Sequence, residues 1–496
     1  VGEFMNGTIV AQSTPSGSGA IALIRLTGEQ AIECVDTFAR LTDGSLLSSK
    51  ASHTVHLGWV VNATGEHVDQ VFFILLKAPK TFTGEDTVEI SCHNNPFIIQ
   101  AIIDVALHAG ARLAARGEFT RRAFEHGKVT LTQAEAINEL ITAQTEQALK
   151  KSLAQLEGSF SHWIELVEQR LLTALAWCEA SFELSEEEVD IVTSIIPMIA
   201  EIQQLVADVK KNFDVRTQIK QGVRIALIGT VNAGKSSLFN ALLNQKRSIV
   251  TEVAGTTRDT VEASLHHKGV FWTLIDTAGI RETDDLIEQE GIKRSLEEAA
   301  RADLILLVVD SAFPLSQEAE RWYRELLALY GQKIILVRNK MDKIPAGYAT
   351  GVSAHPEHAL SDPPRQARDK LRGCIEWVEA AQMQALSFPE YQKSINVSTL
   401  TGSGCDLLER EIEVMIEQLF EKAQAPFLIN QRHYTILLTV EQELQAIDEL
   451  LQYPVVAFEL VAYRLRETLE VTSSLTGKSI SEEALNKVFQ EFCVGK

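Results

Sequence analysis

An apolar run, Arg224-Ile225-Ala226-Leu227-Ile228, passes straight into Gly229-Thr230-Val231-Asn232-Ala233-Gly234-Lys235-Ser236 and then into the helix-like Ser237-Leu238-Phe239-Asn240-Ala241-Leu242. A strand, a glycine loop and a helix in this order form a phosphate-binding loop, whose N–H groups converge on phosphate at a helix N-terminus. The expected phosphate contacts are Asn232, Ala233, Gly234, Lys235, Ser236 and Ser237. Lys235 should reach the β- and γ-phosphates, and Ser236 should bind magnesium. Apolar strands alternating with helices through residues 219–419 predict a mainly parallel sheet around this loop.

Further elements follow in order. Phe271–Ile275 reads as a strand ending in Asp276-Thr277-Ala278-Gly279, where Asp276 can hold the metal through water and Gly279 can approach the γ-phosphate. A strand over Leu304–Val309 comes next, and Lys333–Val337 leads to Asn339-Lys340-Met341-Asp342. A carboxylate at Asp342 can accept from the ring N–H and exocyclic amine of guanine; adenine lacks that donor pair and leaves the carboxylate unpaired. Ser398-Thr399, after Ile395-Asn396-Val397, stands where a last base-contacting loop belongs. Sites at the carboxyl ends of parallel strands are where such folds bind ligands. The expected ligand is GTP. The water-orienting glutamine that many GTPases carry after Asp-x-x-Gly is replaced by Ile280, and no glutamine follows until Gln289.

The rest of the chain divides around this module. Residues 5–125 alternate short strands, such as Ala20–Leu26 and Val71–Leu76, with an amphipathic helix over Pro96–His108. Leu149, Leu153, Leu156, Phe160, Trp163, Val167, Leu171, Ala174 and Cys178 recur at helical spacing, predicting one long helix; the pattern returns at Leu437, Val440, Leu444, Ile447 and Leu451. These segments predict a helical domain of residues 126–218 and 420–496, interrupted by an inserted P-loop α/β domain of 219–419. The whole is therefore multidomain, α/β plus all-α. Lys343–Lys393, with Pro345, Pro356, Pro363 and Pro364, reads as a surface excursion.

Composition limits the function classes. The formal charge of -21 repels a polyanion overall, so nucleic acid must be met through a local patch or a partner. Arg112, Arg116, Arg121, Arg122 and Lys128 are such a patch or else a solvated helix face. Cysteines at 34, 92, 178, 374, 405 and 493 form no CxxC pair, which fits a reducing compartment and a cytoplasmic protein. No run of eighteen uncharged apolar residues predicts a membrane span. Val1-Gly2-Glu3-Phe4 before Met5 reads as a cloning remnant.

Thr251-Glu252-Val253-Ala254-Gly255-Thr256-Thr257-Arg258-Asp259, together with Asn232, resembles the potassium-dependent GTPases of the TrmE–Era–septin-like group. The resemblance implies a potassium ion where an arginine finger would sit, held by the Asn232 side chain and oxygens of Thr251, Val253 and Thr256, with Thr257 reaching magnesium. Val231 departs from the proline more usual in the group. Outside such a site, residues 251–259 would be an ordinary polar loop.

Thr83-Gly84-Glu85-Asp86-Thr87-Val88-Glu89-Ile90-Ser91-Cys92-His93 and Gly117-Glu118-Phe119-Thr120-Arg121-Arg122-Ala123-Phe124 are similar to signatures of a tRNA-modifying family within that group. Gly127-Lys128, Gln133-Ala134-Glu135-Ala136 and the closing Phe492-Cys493-Val494-Gly495-Lys496 extend the resemblance. It implies a homodimer through an N-terminal domain that binds a tetrahydrofolate one-carbon donor, a complex with the flavoprotein MnmG, and aminomethyl-type addition to carbon 5 of the wobble uridine of certain tRNAs. By position, Arg25, Glu89 and Lys128 are the folate candidates, or else surface ion pairs. Glu288 matches the carboxylate that helps activate the nucleophile through water, or belongs to a solvated acidic loop. Cys493, expected in a mobile tail, either attacks carbon 6 of uracil or packs beside the helices. A regulatory switch without modifying chemistry and a scaffold dimerised by nucleotide are the alternative functions.

Overall fold

The computed structural model describes residues 7–181, 191–244, 261–277, 295–344, 393–421, 425–478 and 480–495. It separates into two compact units. One comprises Val1–Thr142, Lys150–Phe213 and Ala425–Lys496, the other Ala143–Leu149 and Asp214–Gln424. The second unit interrupts the chain of the first.

In the first unit a seven-stranded sheet runs in the order β3-β4-β5-β6-β2-β1-β7. Its strands are β1 (Ile9–Gln12), β2 (Ile21–Thr27), β3 (Ala39–Leu41), β4 (Thr54–Val61), β5 (His67–Leu76), β6 (Thr87–His93) and β7 (Arg112–Leu113). All neighbours are antiparallel except β1 and β7. Period-two alternation sends Val71, Phe73 and Leu75 of β5 into the core, with Ile24, Val88, Ile90 and Ile102. Helices Ala31–Phe38 and Pro96–His108 supply the residues that close that core. The second helix begins where sequence predicts: Asn95 Oδ1 accepts from Phe97 N at 2.9 Å and Pro96 opens the first turn. The other sheet face leaves Ile21, Val55, Leu57 and Phe72 exposed.

The helices on either side of Gly158 correct the expectation of one long helix. Glu146–Leu156 and Ser159–Ala180 are separate helices. Gly158 takes φ +105°, a conformation open to glycine, and the chain turns there. Leu149 and Leu153 are therefore exposed, while Phe160, Val167, Leu171, Ala174 and Cys178 stay buried. Their core also takes Ile195, Ile199, Ile202 and Val206 from Ile191–Asp214, and Leu437, Val440, Leu444 and Ile447 from Gln431–Leu451. Segments on both sides of the interruption thus share one interior. Val192–Phe213 is long and apolar enough, by composition, to cross a membrane, yet one of its faces lines this interior.

In the second unit a six-stranded sheet has the order β13-β12-β11-β8-β10-β9. The strands are β8 (Val223–Ile228), β9 (Val261–His267), β10 (Val270–Asp276), β11 (Leu304–Asp310), β12 (Ile334–Asn339) and β13 (Ser394–Asn396). All pairs are parallel except β9 with β10. That hairpin, absent from the sequence reading, turns on Lys268 and Gly269, both at positive φ, as a two-residue hairpin requires. Residues of β11 are buried from Leu304 to Val309, the unbroken apolar run of a strand covered on both faces.

Candidate nucleotide-binding site

The site lies at the carboxyl ends of β8, β10, β11, β12 and β13. Where β8 ends, Gly229 lies so close to β11 that a Cβ there would be 2.3 Å from Val308 O. The loop then turns through Asn232 at φ +60° and Gly234 at φ +95° into helix Lys235–Asn244. A Cβ on Gly234 would sit 2.2 Å from Asn339 Nδ2, so only glycine lets the two motifs interlock. Asn339 Nδ2 donates to Ala233 O at 3.1 Å, and Asn339 Oδ1 accepts from Thr399 N at 3.3 Å. Lys340, at φ +64°, sends its ammonium to Asn232 O (2.6 Å) and Asp310 Oδ2 (2.7 Å). Ser398 Oγ donates to Asp342 Oδ1 at 2.5 Å, aiming an exposed carboxylate. Base-side and phosphate-side motifs are thereby one hydrogen-bonded body.

Lys235 Nζ donates to Gly229 O and Thr230 O, both at 2.9 Å, and is buried. Burial pulls its ammonium below the usual lysine value, opposed by the Asp276 carboxylate. Asp276 is itself buried at the end of β10, and the next residue, Thr277, ties its Oγ1 to Leu227 O at 2.8 Å. Ser236 and Ser237 are exposed on the first turn of the helix. Serine hydroxyl and aspartate carboxylate oxygens are donors of the kind that suits a hard divalent cation. The exposed Asn232 keeps its side-chain oxygen, since Lys340 engages only its carbonyl among the contacts described. Thr251, Val253, Thr256, Thr257, Gly279 and Glu288 lie outside the described residues, as does most of Lys343–Lys393.

In the first unit, Arg25 and Glu89 face each other across β2 and β6 and form an ion pair at 2.7 Å. The Arg25 guanidinium also lies 5.7 Å from the Phe119 ring centre. Lys128 donates to Pro79 O at 2.5 Å, in the loop that carries Gly84. Of the expected basic patch, Arg121 and Arg122 are buried, whereas Arg116 and Lys128 are exposed. Arg122 is buried between Glu85 (2.9 Å) and Glu118 (3.0 Å), Arg112 also pairs with Glu118, and Arg121 with Glu125 at 2.7 Å. Glu118 is held ionised: burial opposes this, and hydrogen bonds from Arg112, Ala115 N and Arg122 outweigh it. Buried arginines need such partners, which explains why acids alternate with them in sequence. The tail is docked rather than loose. Phe492 is buried with Leu131, Leu485 and Phe489, Gly117 N donates to Cys493 O at 3.3 Å, and the Cys493 side chain remains exposed.

Two family models match the chain, "MnmE helical domain" over residues 131–493 and "GTP-binding protein TrmE N-terminus" over 8–128. A relative from Aquifex aeolicus (strain VF5), the tRNA modification GTPase MnmE, is 36% identical over 99% of this chain and 100% of its own. The chain belongs to the MnmE family. The Bacillus cytotoxicus tRNA modification GTPase MnmE is 34% identical over 99% of both chains. Among solved structures, Era in complex with MgGDPNP and nucleotides 1506-1542 of 16S ribosomal RNA is 26% identical over 38% of this chain and 55% of that one, at a TM-score of 0.26.

Within this MnmE-family site, two residues escape the sequence reading. Asp310 anchors Lys340 and accepts from Ala312 N at 2.9 Å; its signal is an acid closing the apolar run Leu304–Val309. Tyr323, on helix Gln317–Tyr330, touches the phosphate loop with its phenol, and only its apolar phase on that helix marks it in sequence.

Proposed function

We propose that this chain is a potassium-stimulated GTPase that, with MnmG, modifies carbon 5 of the wobble uridine of certain tRNAs using a tetrahydrofolate one-carbon donor. The observation that carries the nucleotide half is the interlock of Ala233, Asn339 and Thr399, which leaves Asp342 aimed outward from the same body. A carboxylate in that setting selects guanine by two hydrogen bonds. Segment 219–419 is the GTP-binding domain.

In this mechanism Lys235 neutralises phosphate charge, and Ser236 and Thr257 would hold magnesium, with Asp276 helping through water. Asn232, Thr251, Val253 and Thr256 would hold potassium, which would supply positive charge to the transition state. With Ile280 unable to hydrogen-bond water, Glu288 orients the nucleophile. Backbone N–H groups from Asn232 to Ser237 hold the phosphates in line.

Segment 5–125 serves for dimerisation and folate binding, and the exposed apolar row Ile21, Val55, Leu57 and Phe72 supports the self-association. Arg25 and Lys128 meet folate carboxylates or the pterin carbonyl, and Glu89 accepts from pterin donors. Segments 126–218 and 420–496 carry Cys493, whose exposed thiol attacks carbon 6 of uracil and makes carbon 5 nucleophilic. The chemistry is cytoplasmic, with no membrane component. Nucleoside analysis of tRNA from cells lacking this protein tests the assignment. The reading requires the wobble uridine of the affected tRNAs to lose its carbon-5 group; unchanged modification rejects it.

A further inference from the structure

Pairing between β8 and β11 ends at Ile228 with Leu307, so the main chain beyond that pair needs other partners. Tyr323 supplies them. Its phenol donates to Val308 O at 2.8 Å and accepts from Thr230 N at 2.9 Å. The ring is fully buried, one face of its helix away from solvent together with Leu326. Gly229 makes the approach possible, since a Cβ there would be 3.2 Å from Tyr323 Oη as well as crowding Val308 O. Burial raises the phenol above the usual tyrosine value, opposed by its Thr230 contacts, so it stays a donor at neutral pH.

We propose that Tyr323 is a positioning residue for the nucleotide phosphates, latching the entry of the phosphate loop in its receiving geometry. The proposal rests on the guanine-nucleotide reading of the site. Without the hydroxyl, Thr230 N–H and Val308 O are orphaned, and a buried orphan drives the loop to rearrange toward water. Nucleotide must then pull the loop back, and the cost falls on affinity rather than on cleavage.

The test uses the full chain carrying Tyr323→Phe, which keeps the ring and removes only the hydroxyl. A second variant, Leu326→Ala, removes core packing on the same helix without touching the loop. GDP affinity, KM and kcat for GTP, and Tm are measured for both. The latch predicts that Tyr323→Phe weakens GDP and raises KM about tenfold or more, the effect of two buried hydrogen bonds, with kcat within about twofold. Leu326→Ala should lower Tm at least as far and leave GDP affinity near wild type. GDP binding by Tyr323→Phe as tight as wild type, or a loss no larger than that of Leu326→Ala, overturns the latch. Failure of the wild-type chain itself to bind GDP overturns the site reading beneath it.

Discussion

At the scale of single residues, Asp342 is the most exposed test of base selection. Ser398 fixes one of its oxygens at 2.5 Å, so the carboxylate presents a set geometry rather than a mobile charge. Asp342→Asn replaces an acceptor with a donor facing the guanine amine. GTP affinity should fall about a hundredfold or more, on the order of 3 kcal/mol, because two charge-assisted hydrogen bonds are lost. Affinity for xanthosine triphosphate, which offers an acceptor there, should rise; competition binding with the two nucleotides checks both halves. Glu288 makes a complementary prediction. Glu288→Ala should slow single-turnover hydrolysis about a hundredfold or more while GTP affinity stays near normal, the signature of a lost base. An unchanged single-turnover rate removes Glu288 from the mechanism.

At the scale of elements, the loops between strands and helices carry the site, and glycine decides their approach. Gly234→Ala should abolish nucleotide binding with little loss of folded structure, since its Cβ would lie 2.2 Å from Asn339 Nδ2 at φ +95°; isothermal titration with GDP reads this directly. A second element-scale prediction concerns Glu135 on helix Leu131–Thr142. It is bound by Arg432 and His433 at the start of helix Gln431–Leu451. Burial disfavours its ionisation, but His433 and the Arg432 cation outweigh burial and hold the carboxyl well below the usual range, even though burial lowers His433 itself and favours its neutral ring. A folded pKa below the unfolded one stabilises fully above the ordinary glutamate value of about 4.3, and the stabilisation is lost as pH falls below it. Thermal melts from pH 7 to 3 should show that loss, and Glu135→Gln should start lower and flatten the slope. These elements also show what sequence reveals. The strands β8, β10, β11 and β12 were legible because buried parallel strands read as unbroken apolar runs ending in polar motifs. Gly158 does not mark a break in sequence because helical spacing continues in phase across it, and β9 is hidden because His266, His267 and Glu262 obscure its alternation. Asn232, Lys235, Asn339 and Asp342 declare themselves by motif, whereas Tyr323 acts through a contact with residues about ninety positions away that no local pattern encodes.

At the scale of the whole molecule, the charge of -21 and the internal pairing of Arg112, Arg121 and Arg122 act together. Most of the arginines that sequence offers to nucleic acid are occupied by Glu85, Glu118 and Glu125. The chain alone should therefore bind tRNA only in the non-specific range, about 10⁻⁴ to 10⁻⁶ M at physiological salt, and, if the proposed complex forms, addition of MnmG should tighten it; filter binding with and without MnmG checks this. The central claim is that a monovalent cation beside Asn232 supplies the positive charge that an arginine finger would otherwise bring. Steady-state GTP hydrolysis in potassium chloride and in sodium chloride, at equal ionic strength, for wild type and Asn232→Ala, tests it most directly. The account predicts faster turnover in potassium for wild type and loss of that difference in the variant; equal wild-type rates in the two salts, with the variant unimpaired, contradict it.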